Sequence, residues 1–243
     1  MVVFGISPIL MIAAIVPAIF LMVQIYKADK LEKEPTNLMV SLIFLGIFST
    51  LIAVILEGIG QYLLSPLNPN SFIYNFLLYF IVVAFSEEGG KYFVLKRKTW
   101  KHAAFNCQFD AVVYSVFVSL GFALWENIQY VAMYGLETAL VRAVTAVPGH
   151  ACFGVFMGVW YGLAKRYEYA GDFQRAKQNR RLAVLIPALL HGFYDFTATQ
   201  GGGISLLFVV FVALMFFWAS RLVKSVSQND RYIGYQGPRD PFQ

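Results

Sequence analysis

Charge is scarce in this chain. Asp, Glu, Lys and Arg make up 14% of its 243 residues, where a soluble domain carries about 25%. That deficit excludes an ordinary water-soluble globule. Cysteine is nearly absent: Cys107 and Cys152 are the only two, and they form no CxxC pair. A disulfide framework and a structural zinc ribbon are therefore excluded. Histidine is confined to His102, His150 and His191, and there is no HExxH, so the usual zinc-protease helix is missing. Internal repeats, which secondary transporters often carry, are also missing, as are low-complexity tracts. The net charge of +5 at pH 7 resembles a nucleic-acid footprint only until its distribution is seen.

What is abundant is apolar length. Hydrophobic residues are 58% of the chain, and runs long enough to cross a bilayer recur from end to end. Windows of about 20 residues predict spans near 7–26, 38–64, 72–95, 109–134, 145–164, 182–200 and 204–222. The fold class expected is an all-α polytopic membrane helix bundle of about seven transmembrane helices. It forms a single transmembrane domain, 1–222, followed by a flexible tail, 223–243. The first run is too long for a cleaved signal core and is expected to be retained. The connectors alternate sharply in charge. Of the 19 Lys and Arg, 17 fall in the first, third and fifth connectors and after the last span; Lys91 and Arg142 are the exceptions. Positive loops stay inside, which predicts an external N-terminus and a cytoplasmic C-terminus. The basic charge thus reports topology, and no nucleic-acid partner is expected.

Ionisable residues inside apolar spans mark function by default. In the third span "SEEGGK" carries Glu87, Glu88 and Lys91. Lys91 is i+4 from one glutamate and i+3 from the other, so either can reach it. The glutamates point about 100° apart, which predicts that one faces a cavity while the other holds Lys91. The reading as a merely neutralised structural pair leaves the second carboxylate unexplained. Gly89 and Gly90 suggest a local irregularity or a close neighbour. In the sixth span "HGFYD" puts His191 and Asp195 on one face, where the carboxylate can orient the imidazole. In the fifth, His150, Gly154, Gly158 and Gly162 form one stripe facing another helix, and Pro148 marks a kink or the span's start. In the fourth, Glu126 and Asn127 are either interhelical glue or part of a site. Glu57 reads as structural, near the outer end of its span, and Asp110 as an N-cap. Depths from the basic end are roughly 12–14 Å for Glu87 and His191, 20 Å for His150 and 25 Å for Glu126. Side chains and modest tilt can bring these layers together.

The ordered blocks "EKEP", "EEGGK", "FDAVVYSVFVSLGFALWEN", "HACFG" and "HGFYD" resemble the PrsW intramembrane proteases of bacteria. That family is related to the CAAX prenyl endopeptidases and the bacteriocin-immunity membrane proteins. The resemblance runs through nearly the whole chain. It implies a multi-pass endopeptidase of the bacterial plasma membrane that makes the first cut in a single-span substrate, a membrane-anchored anti-sigma factor. By position, Glu87, Glu88 and His191 match the family's catalytic residues, and His150, Glu126 and Asp195 match accompanying motif positions. Gly89 and Gly90 are smaller than the residues expected there.

The expected chemistry is attack by a glutamate-activated water, with Lys91, Asn127 and Asp195 in support and His150 or Asn127 steadying the oxyanion. A Zn²⁺ version, with His150, His191, Glu87 and Glu88 as candidate ligands, stands beside a metal-free one; the metal-free version is preferred by a small margin. The rival classes are a proton-coupled transporter and a non-catalytic scaffold. The third to sixth spans are expected to bound an outward-facing cleft, with openings at Gly89–Gly90, Pro148 and the connector "TQGGGIS".

Overall fold

A computed structural model describes residues 7–199 and 204–234. The glycine-rich connector 200–203 and the end of the tail, 235–243, lie outside the described residues. The chain is helical throughout. The helices are α1 (Pro8–Ala28), α2 (Thr36–Leu64), α3 (Phe72–Phe76), α4 (Ala84–Thr99), α5 (Asp110–Tyr134), α6 (Leu136–Val144), α7 (Ala146–Tyr169), α8 (Phe173–Thr199) and α9 (Ile204–Gln228). A π-helical turn, Leu77–Val83, joins α3 to α4. Among the described residues seven helices or joined pairs are long and apolar enough to cross a membrane. The chain is therefore a multi-pass membrane protein, as its composition predicts.

Local chemistry sets several boundaries. Ser7 caps α1 by accepting from the Leu10 amide, with Pro8 in the first turn, and Ser71 caps α3 through the Tyr74 amide. Gly135, at φ +81°, makes the reversal after α5 that an L side chain rarely adopts. Four expectations are corrected. The irregularity lies one turn before "EEGGK", in the π-helical Leu77–Val83, while Gly89 and Gly90 sit in regular helix; of the two, Gly90 has the close neighbour, α2, where a Cβ would meet the Ser49 carbonyl at 3.5 Å. A separate amphipathic helix, α6, precedes α7; Pro148, as expected, stands at the start of that span, in the first turn of α7. Asp110 is not an N-cap: it is the first helical residue, and its Oδ2 accepts from the Asn106 and Cys107 amides behind it. Finally, α9 runs on to Gln228, and the segment after it folds back, with the Ile233 amide donating to the Asn106 carbonyl at 2.5 Å.

The core is organised around α5, in which residues 110–123 are all buried. The outer helices α2 and α9 turn large apolar side chains such as Phe44, Leu51, Val209 and Trp218 outward, where lipid covers them. The stripe of small residues on α7 does face a helix. A Cβ on Gly158 would lie 2.5 Å from Val112 Cα, and one on Gly154 2.9 Å from Val116 Cα, so α7 lies directly on the α5 backbone. Gly192 acts alike on α8, where a Cβ would meet Phe80 Cα of the π-helical turn at 2.8 Å. At the basic end, Trp100, Phe105 and Tyr161 cluster, and the Tyr161 hydroxyl pairs with Thr99 at 2.9 Å. Aromatic contacts of this kind contribute about 0.5–1.5 kcal/mol each beyond area burial. Together they lock α4 to α7 below the polar layer, and the glycine contacts bring α8 in beside them.

Candidate active site

The convergence of α4, α5, α7 and α8 gathers the polar residues of four spans. At the centre is Lys91, which is wholly buried. Its ammonium has three N–H groups and three acceptors: Glu88 Oε1 at 2.7 Å, Glu87 Oε2 at 3.2 Å and His150 Nδ1 at 3.2 Å. The Phe122 ring lies 4.0 Å from Nζ, adding a cation–π contact. Both glutamates therefore reach Lys91, and they part company beyond it. Glu88 is fully buried, and its Oε1 also receives His191 Nδ1 at 3.0 Å. Glu87 turns toward a cavity of about 330 Å³.

These contacts define the imidazole tautomers. Lys91 can only donate, so His150 Nδ1 accepts, and Nε2–H donates to Glu126 Oε2 at 2.9 Å. His191 donates through Nδ1 to Glu88. Its Nε2 is left facing Asp195 Oδ2 at 3.3 Å and Glu87 Oε2 at 3.9 Å. Stacking on Phe153, with centroids 4.7 Å apart, fixes the His191 ring plane. Asp195 thus stands at the i+4 position where it can orient the imidazole.

The cavity wall includes Glu57, Tyr79, Glu87, Glu126, Tyr130, Arg142, His150, His191, Asp195 and Thr199. It extends toward the end of the bundle whose connectors are nearly uncharged. Glu57 stands two turns from the outer end of α2, as expected, but it lines this cavity, so the purely structural reading is corrected and α2 contributes a wall as well. Arg142 of α6 was not expected at the site. Its Nη2 donates to Glu126 Oε2 at 3.0 Å and its Nε to Asn127 Oδ1 at 2.9 Å, and its guanidinium lies 4.0 Å from the Tyr130 ring centroid. The available signal was its isolation, since Arg142 and Lys91 are the only two cations away from the basic connectors. Asn127 is largely engaged, one N–H of its amide donating to the Ala14 carbonyl at 2.8 Å. Both nitrogens of His150 are occupied, so His150 is not free to hold an oxyanion.

A metal ion has a natural place here. Glu87, Glu88 and His191 each offer one ligand atom, all within 4.8 Å of one another. Glu88 Oε2 is buried without a partner among the described residues. Carboxylate and imidazole donors suit Zn²⁺, so the residues fit such an ion. His150, the fourth candidate ligand, is outside this set because Lys91 and Glu126 hold its nitrogens.

Seven apolar spans enclosing a cavity lined by carboxylates and imidazoles define a polytopic membrane protein with an ionisable site among its spans. The comparisons with known proteins sharpen this. Residues 34–220 match the family model described as PrsW family intramembrane metalloprotease. The protease PrsW of Oceanobacillus iheyensis is 35% identical over 217 residues, covering 89% of this chain and 95% of the relative. That of Bacillus subtilis is 34% identical over 212 residues, 87% of this chain and 93% of the relative. That of Clostridioides difficile is 33% identical over 193 residues, 77% and 78% of the two chains. No solved structure matches the chain. The chain belongs to the PrsW family of intramembrane proteases and is a multi-pass membrane peptidase.

Proposed function

We propose that this peptidase cuts a single-span membrane protein of the anti-sigma-factor type, making the first cut near its membrane anchor, and that Glu87 activates the attacking water. The observation that carries the reading is the unequal placement of the two glutamates. Glu88 is sealed between Lys91 and His191, whereas Glu87 lines the cavity with its Oε2 3.9 Å from His191 Nε2. With the N-terminus outside and the C-terminus cytoplasmic, as the basic connectors imply, the cavity opens toward the extracytoplasmic side. An extended substrate segment drawn into it finds water and irregular backbone in a protein-lined space, the only place they are tolerated at that depth.

Glu87 takes a proton from water as the oxygen bonds to the scissile carbonyl carbon. His191, with Nδ1–H on Glu88 and Nε2–H facing Asp195, gives its Nε2 proton to the leaving amine as the C–N bond breaks, and the proton held by Glu87, 3.9 Å away, then restores it. Arg142 has N–H groups beyond the two spent on Glu126 and Asn127, and these take the oxyanion role first expected of His150 or Asn127. Lys91 holds Glu87, Glu88 and His150 in register. If Zn²⁺ is held by Glu87, Glu88 and His191, it supplies Lewis-acid polarisation and a more acidic bound water. The metal-free version is preferred because Lys91 already places a positive charge 3.2 Å from Glu87.

The test is proteolysis of a tagged single-span substrate in proteoliposomes by protein stripped with a chelator. Cleavage by metal-free protein, reduced at least about 10²-fold by His191→Ala, is expected. Activity that returns only on adding Zn²⁺ would overturn the metal-free version.

A further inference from the structure

A second polar cluster lies at the other end of α5, beside the basic connectors, and the proposed proteolysis does not use it. Asp29 and Glu34 belong to the α1–α2 connector and Asp110 opens α5; all three are buried, at 1%, 2% and 0% exposure. Each offers an oxygen within 4.8 Å of the others. Acidic residues gather without a ligand often enough, but these are placed in an unusual way. Asp110 Oδ2 is held by the Asn106 and Cys107 amides at 2.9 and 2.6 Å, and Glu34 Oε2 by the Tyr114 hydroxyl at 2.5 Å. The second oxygen of each, Asp110 Oδ1 and Glu34 Oε1, meets no N–H or O–H donor among the described residues; the two carboxyl groups lie within hydrogen-bonding reach of each other, so a proton or a cation has to stand between them, and Asp29 Oδ2 has no partner either. Asn106 Oδ1 and Asp230 Oδ2 nearby are unpartnered too.

No ion pair among the described residues includes any of these carboxylates. The neighbouring ammonium, Lys33, donates instead to the Tyr26 and Asp29 carbonyls. Glu32, the other charged neighbour, adds negative charge and accepts from Asn106 and Tyr232. A buried acceptor left unmade costs about 1–3 kcal/mol, and more when charged. Several of them in one spot, with Glu34 and Asp110 on anchored side chains, have the form of a coordination shell.

We propose that Asp29, Glu34 and Asp110 bind a hard divalent cation of the Ca²⁺ or Mn²⁺ kind, which ties the α1–α2 connector to the start of α5. All-oxygen donors select hard cations. The dry, protein-walled surroundings disfavour Mg²⁺, which dehydrates reluctantly. The site is far along α5 from Glu126 and is separate from the catalytic cluster.

The experiment uses full-length protein in detergent, stripped with a chelator and titrated with Mn²⁺ while the free ion is followed by electron paramagnetic resonance. Wild type should bind about one equivalent more than Glu34→Gln or Asp29→Asn, and Ca²⁺ should raise its melting midpoint by about 5 °C with no rise in the variants. Both substitutions remove buried charge with little change of shape, so the cation-free variants should melt no lower than wild type. Equal Mn²⁺ uptake by wild type and variants, with no Ca²⁺ effect on wild-type melting, would overturn the proposal. Should the variants fail to fold, a Glu87→Gln/His191→Ala double variant decides. A Ca²⁺-dependent rise in melting midpoint that persists there supports the connector site, and its loss would assign the ion to the catalytic cluster instead.

Discussion

Replacing Lys91 with methionine removes the single cation that three buried acceptors share. The lysine and Glu88 are both wholly buried, 2.7 Å apart, so neither screening by water nor a move of the side chain can relieve the loss. Removing one partner of such a pair costs about 3–5 kcal/mol, because the other charge is left uncompensated. At roughly 2–4 °C per kcal/mol for a chain of this size, Lys91→Met should melt about 6–20 °C below wild type. Glu88 then has to take up a proton, and His191 loses the charged acceptor that orders its Nδ1. Proteolysis should fall by at least about 10²-fold. The double variant Lys91→Met/Glu88→Gln removes the closest pair and should recover part of the melting temperature, since a buried pair replaced together is often neutral but Glu87 and His150 still lack their donor, while activity stays lost. Thermal melts in detergent and cleavage in proteoliposomes read the two effects separately. A single Lys91→Met variant that melts with wild type would refute the picture of a charged lysine holding the layer together.

Arg142→Lys should keep the fold but lower kcat/KM by about 10-fold or more, because an ammonium cannot bridge Glu126 and Asn127 as the planar guanidinium does; an unchanged value would exclude Arg142 from the site. At the other end of α5, burial pushes Asp29 up to about 6 and Glu34 up to about 7, from ordinary values of 3.8 and 4.5. The folded chain therefore keeps protons that the unfolded chain has released, and cation-free protein should lose stability as the pH rises from about 4 to 7. Glu34→Gln should show a smaller loss across that window, and Ca²⁺ should remove the wild-type loss at pH 8. Equal pH slopes for wild type and variant would contradict the assignment.

Much of this layout is legible in the sequence, for reasons that differ from residue to residue. The spans are legible because hydrocarbon thickness imposes a run length that composition alone reveals. Lys91 is legible because i+3 and i+4 spacing on one helix fixes distance before any tertiary packing. The His150–Gly162 stripe is legible because close helix approach demands small residues in a row, and they do lie on α5. Arg142 and Glu57 are not legible in the same way. Their place depends on the short helix α6 folding back and on α2 leaning over the cavity, neither of which is a periodicity. The π-helical turn at Leu77–Val83 is invisible for a related reason: its residues form an unbroken apolar run with no Gly or Pro to mark it, and only packing of Phe80 against Gly192 exposes the extra residue. The role expected of Asp110 as a cap rested on residue type alone, and its carboxylate instead binds the chain behind it.

The most direct measurement is the rate at which wild type and Glu87→Gln, reconstituted in the same vesicles, cut one tagged single-span substrate. Glutamine keeps the size of the side chain and its contact with Lys91 while removing the base. The expected result is a folded Glu87→Gln protein with cleavage at least about 10²-fold slower than wild type. A Glu87→Gln protein that cuts at the wild-type rate would contradict the assignment of Glu87 as the group that activates water.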